Sequence, residues 1–100
     1  MTLTAILNHL IARAERSPGQ LYQHHLENDL RITIKQTDKA LSIGLSRAQV
    51  YPSPTEWRTI SRFLQPLGRQ LSELTKVKTT GRHWLTGTIE KLEAKELSHV

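Results

Sequence analysis

The stretch LRITIKQTDKALSIGLSRAQVYPSPTEWRTISRFL, residues 30–64, decides the fold. Its first half alternates strictly. Leu30, Ile32 and Ile34 are apolar, with Arg31, Thr33 and Lys35 between and after them. Leu41, Ile43 and Leu45 then alternate with Ser42, Gly44 and Ser46. A period of two sends each apolar trio to one face of a strand and its polar partners to the other. Gln36, Thr37, Asp38 and Lys39 between the two runs suit a turn. Residues 30–46 are therefore predicted to form a β-hairpin, one face on a core and the other turned to water or a partner.

The second half of the stretch begins a helix. Ser53 stands at the N-cap, Pro54 at the first helical position and Glu56 at the third. The Ser53 oxygen is placed to accept from the Glu56 amide, and the Glu56 carboxylate to reach back to the Ser53 amide. Pro54 gives up a donor that would be unpaired at that position. Trp57, Ile60, Leu64 and Leu67 follow at helical spacing, with Phe63 beside them. That stripe is predicted to lie on the apolar face of the hairpin.

Towards the N-terminus, Leu3, Ile6, Leu7, Leu10, Ile11 and Ala14 fall on one face of a helix. Thr2 or Thr4 caps it, and Ser17-Pro18-Gly19 stops it. Tyr22, His24 and Leu26 alternate with Gln23 and His25, which predicts a short strand beside the hairpin. His24 and His25 would then point to opposite faces, and no zinc-type spacing accompanies them, so no metal is expected.

Towards the C-terminus, Pro66 interrupts the helix, while Leu67, Leu71 and Leu74 continue its stripe. A kinked or restarted helix to about Leu74 is predicted. Lys76 to Thr80 has strand propensity, Gly81 suits a turn, and His83 to Thr88 reads as a return strand with Trp84 and Leu85 as buried candidates. From Thr88, the apolar Ile89, Leu92 and Leu97 favour a terminal helix. Together these elements predict one α+β domain over residues 1–100. A small antiparallel sheet is packed by an N-terminal helix and a Pro-initiated helix, with a further C-terminal helix or hairpin.

The order of strand, turn, strand and proline-initiated helix, carried by Leu30–Ile34, Leu41–Leu45 and Ser53-Pro54-Thr55-Glu56-Trp57, resembles that of small single-stranded-DNA-binding transcriptional coactivators. It covers about a third of the chain, and a shared arrangement implies no shared function. A helix before the hairpin and a long segment after the capped helix depart from that pattern.

Composition narrows the function classes. Hydrophobic residues are 37% and charged residues 23%, which suits a folded chain rather than a disordered one. The absence of cysteine excludes disulfides and thiolate metal sites. No apolar run approaches the roughly 20 residues that span a bilayer, and no secretory signal is visible, so a cytoplasmic location is expected. The five glycines are scattered rather than gathered into a phosphate loop, and Ser42-Ile43-Gly44-Leu45-Ser46 is no nucleophile elbow. A non-enzymatic protein without a cofactor is expected.

The net charge is +5, and its distribution says more. Residues 30–82 carry ten Lys or Arg against three acids, while each flank is net −1. Such concentration suits an anionic partner. Arg58 and Arg62 are one helical turn apart, and Arg31 and Lys35 share the polar face of a strand. With Arg69, Lys76, Lys78 and Arg82 they are the expected contacts to nucleic-acid phosphates. The competing expectation is a protein-interaction or homo-oligomeric module whose charge is incidental. A homodimer is expected if the first helix carries more apolar surface than one small sheet covers.

Overall fold

A computed structural model of the chain describes residues 2–92. The first helix, α1 (Leu3–Arg16), is capped by Thr2, whose hydroxyl accepts from the Ala5 amide at 3.2 Å. It is followed by β1 (Leu21–His25), β2 (Arg31–Gln36) and β3 (Leu41–Arg47). Helix α2 (Pro54–Leu64) then runs into a 3-10 turn at Gln65–Leu67, and a hairpin of β4 (Arg69–Thr79) and β5 (Arg82–Lys91) completes the described chain. The five strands form one antiparallel sheet in the order β1-β2-β3-β5-β4. The fold is α+β, with the sheet centred on the hairpin of residues 30–46.

Register fixes which residues face the helices. Ile32 pairs with Leu45 and Ile34 with Ile43 across β2 and β3. Leu45, Ile43 and Leu41 in turn sit opposite Leu85, Gly87 and Ile89 of β5. These side chains share one face and form a single buried cluster with Leu7, Leu10, Ile11 and Ala14 of α1 and Trp57, Ile60 and Leu64 of α2. The Ser53 cap is as the sequence predicts: its hydroxyl accepts from the Glu56 amide at 3.3 Å. The Glu56 carboxylate does not complete the reciprocal box. It receives the Arg47 guanidinium instead, tying α2 to the end of β3.

The largest correction is at residues 65–74, where the predicted continuation of the helix gives way to a 3-10 turn and the first half of β4; the strand expected from Lys76 is the second half of the same element. Gly68 takes a left-handed conformation, φ +71°, and its amide donates to the Gln65 carbonyl at 2.9 Å, ending the 3-10 turn. Leu67 and Leu71 are four apart, a spacing that suits both a helix face and a strand face. Both pack against the core, Leu71 as the strand partner of Ile89. Leu74 is thrown outward by a bulge between Ser72 and Thr75, where Glu73 has φ +60°.

Other predictions need smaller corrections. Phe63 is exposed rather than part of the core stripe. Thr88 to Lys91 continue β5 instead of opening a helix, and the remainder of the predicted terminal helix, including Leu97, lies outside the described residues. Leu85 is buried against the helices, but Trp84 belongs to the opposite face. On α1, Leu7, Leu10, Ile11 and Ala14 are buried in the core, while Leu3 and Ile6 pack against it half-buried.

Candidate nucleic-acid interface

Both helices lie on one face of the sheet, and the described residues leave the other face without a covering element. Alternation places Leu21 and Gln23 of β1, Arg31, Thr33 and Lys35 of β2, and Ser42, Gly44 and Ser46 of β3 on this open face. Trp84, Thr86 and Thr88 of β5, and Val77 of β4, join them.

Two side chains of β5 lie across this face rather than standing up from it. A Cβ built on Gly44 would meet Cε3 and Cζ3 of Trp84 at 3.0 and 3.2 Å, so the indole occupies the space the glycine leaves. The Trp84 Nε1 donates to the Thr79 hydroxyl at 2.9 Å, which pins the ring from the neighbouring strand. Arg82 lies over Ser46, its Nε donating to Ser46 Oγ at 3.0 Å and its Nη2 to the Ser46 and Asp29 carbonyls at 3.2 and 3.0 Å. Hence Thr33 and Ser46 are buried, at 6% and 0% exposure, on a face that no helix among the described residues covers. Beside Trp84 a depression of about 260 Å³ is lined by Leu21, Thr33, Lys35, Ser42, Gly44 and Thr86 among others.

One end of the face is stitched by polar contacts. The β1–β2 turn places Asn28 and Asp29 at positive φ, 58° and 62°. Asp29 Oδ2 accepts from the Ala48 amide at 3.0 Å, and Oδ1 lies 3.5 Å from Arg82 Nη1. The Ala48 hydrogen bond, with the charges of Arg82 and Arg31 adding to it and desolvation opposing, holds the Asp29 carboxyl below its ordinary range.

The eight expected cations do not form one patch. Arg31 and Lys35 are on the open face, half-buried, with Arg31 Nε donating to His25 Nε2 at 3.0 Å. Arg82 is on the same face, but its guanidinium is engaged by Asp29 and Ser46. Arg58 and Arg62 are exposed on α2, on the other side of the molecule. Lys76 and Lys78 pair opposite Leu85 and His83 and so lie on the helix side, with Lys76 Nζ 5.5 Å from the Tyr51 ring centre. Arg69 is held by both carboxylate oxygens of Glu15, at 3.1 and 3.2 Å, and joins β4 to α1.

Trp84, Gly44 and Ser42 are the functional candidates the sequence reading passed over. A signal was present. In the return strand Leu85, Gly87 and Ile89 share one face and Trp84, Thr86 and Thr88 the other, so Trp84 and Leu85 do not enter one core together. A second depression, about 320 Å³, lies at the end of α1 between Arg13, Arg16, Ser17 and Tyr22, where the Arg13 guanidinium stacks 4.9 Å from the Tyr22 ring centre. Among the described residues no group of three or more His, Asp or Glu is placed to hold a metal ion, and no helix is long and apolar enough to cross a membrane. Comparison with known protein families, with curated proteins and with solved structures finds no match.

Proposed function

We propose that this chain is a small non-enzymatic binding protein that engages nucleic acid through the open face of its sheet, with Arg31 and Lys35 as phosphate contacts. The observation that carries the reading is a sheet face that no helix among the described residues covers, presenting these two cations, neither within ion-pair distance of a carboxylate among those residues. Phosphate contacts of this kind position a strand without reading its sequence. Such a partner implies a cytoplasmic setting, where nucleic acid is at hand.

The reading has a numerical consequence. Each phosphate contact to a single strand contributes roughly 0.7 to the salt slope of log affinity, so two contacts give about 1.4 and eight would give about 5–6. Titrating labelled oligonucleotides at two salt concentrations measures that slope. An Arg31→Ala/Lys35→Ala double variant should lose binding and slope. An Arg58→Ala/Arg62→Ala double variant should keep both, because its arginines lie on the far side. If wild type binds no nucleic acid even at low salt, the proposal fails.

A protein partner is the second reading, favoured by a specific observation. Leu21 and Val77, 58% and 39% exposed, sit on the two edge strands of the same face. A second copy covering this face would bury them and give a homodimer. Sedimentation showing only the 11.4 kDa species at high concentration would remove that reading.

A further inference from the structure

We infer that the depression beside Trp84 seats one unpaired nucleobase, with Trp84 as its stacking partner and Lys35 on an adjoining phosphate, so that the open face takes a single strand in preference to a duplex. The inference deepens the nucleic-acid reading and rests on it.

Three observations carry it. The indole is half-buried rather than buried, so part of the ring remains accessible on a face that the described residues leave uncovered. It is also fixed in advance. Gly44 leaves it room, and the Nε1 hydrogen bond to Thr79 satisfies its one donor, so a ligand needs only the ring's π-surface. Finally, Lys35 lines the same depression, with its ammonium unpaired by any carboxylate among the described residues. An aromatic ring beside a cation, in an otherwise largely apolar hollow, matches the alternation of base and phosphate along a single strand.

Geometry and charge both argue against a duplex. The bases of an undeformed duplex are stacked and paired, and only their edges are presented, within the grooves. Only two cations on this face, Arg31 and Lys35, lie outside ion-pair distance of a carboxylate among the described residues, so phosphate contacts alone give weak binding. Stacking must supply much of the remainder, and only an unpaired base can stack on a protein ring.

The test titrates the full chain with a dye-labelled single-stranded DNA oligonucleotide and with the matched duplex at low salt, for wild type, Trp84→Ala, Trp84→Phe and Arg31→Ala/Lys35→Ala. Indole emission is followed for the two wild-type tryptophans. The expected result is tighter single-strand binding with quenched emission. Trp84→Ala should lose about five- to one-hundred-fold in single-strand affinity with little change on the duplex, and Trp84→Phe should restore part of the loss. Equal binding of single strand and duplex, with Trp84→Ala behaving as wild type, overturns the base seat. If Arg31→Ala/Lys35→Ala then still abolishes binding, the phosphate reading survives without it. Absence of binding to either probe by wild type overturns both. Should Trp84→Ala fail to fold, wild-type quenching and the Trp84→Phe affinity decide: single-strand binding without quenching overturns the seat.

Discussion

On the helix side of the sheet the six-membered ring of Trp57 rests against Gly87, and on the open side the same ring of Trp84 rests on Gly44. A glycine inside a strand normally weakens it, having no side chain to pack. Here each glycine makes a seat for an indole. The Trp57 seat is closed: a Cβ on Gly87 would meet Cη2 and Cζ2 of Trp57 at 2.6 and 2.7 Å and the Ser72 carbonyl at 2.5 Å, and Trp57 itself is 8% exposed beneath α2. The Trp84 seat is open on one side and is bounded by a hollow instead of a helix. An indole on a strand glycine is thus a core anchor where it descends from a helix, and a presented ring where it lies along the sheet with no covering element among the described residues.

That contrast is broken most severely by Trp57→Ala. Removing the anchor should cost about 3–5 kcal/mol, a large share of the total stability of a domain this size. Urea titration of wild type and variant measures the difference. A change below about 1 kcal/mol would mean that the ring contributes little packing, since full burial of so large a side chain is worth more.

The glycines sharpen the comparison. Gly87→Ala should destabilise by about 1–3 kcal/mol, because the new methyl group meets a backbone carbonyl and a buried ring. Gly44→Ala meets only side chains, Thr33 Oγ1 at 2.9 Å and the Trp84 ring. That ring has solvent to move into, so the cost should be about 1 kcal/mol or less. The displaced ring should, however, weaken single-strand binding. Equal losses of stability in the two variants would show that the open seat is as rigid as the closed one.

The two seats also show what a sequence exposes and what it withholds. The hairpin of residues 30–46 and the Ser53 cap were legible because alternation and capping are local signals that burial only reinforces. Residues 67–74 misled because Leu67 and Leu71 fit either period, and the bulge at Glu73 shifts Leu74 out of both patterns. The candidate site was legible only in part. Charge density marks Arg31 and Lys35 but equally marks Arg58 and Arg62 on the far side, since charge in sequence carries no face. Gly44 reads as one more small residue in a strand until the register brings Trp84, forty residues later, onto the same face.

The last and smallest effect separates the two faces by pH. The seat of Trp57 is built from Gly87 and the Ser72 carbonyl, whereas the open face is stitched at one end by Asp29, which binds the Ala48 amide and Arg82. Its carboxyl is held below the ordinary value of 3.8, so the folded chain takes up that proton less readily than the unfolded chain. Stability contributed by Asp29 is therefore present above pH 3.8 and lost as pH falls through the lower, folded value. Asp29→Asn keeps an acceptor for Ala48 but carries no charge. The variant should melt below wild type at neutral pH, and the two melting curves should converge in acid. Trp57→Phe should instead stay below wild type by a similar margin across the same range. If Asp29→Asn parallels wild type through the acid limb, the carboxylate is not what holds the turn to β3 and β5. The hydrogen bond from Ala48, which asparagine can still accept, would then account for the stitching alone.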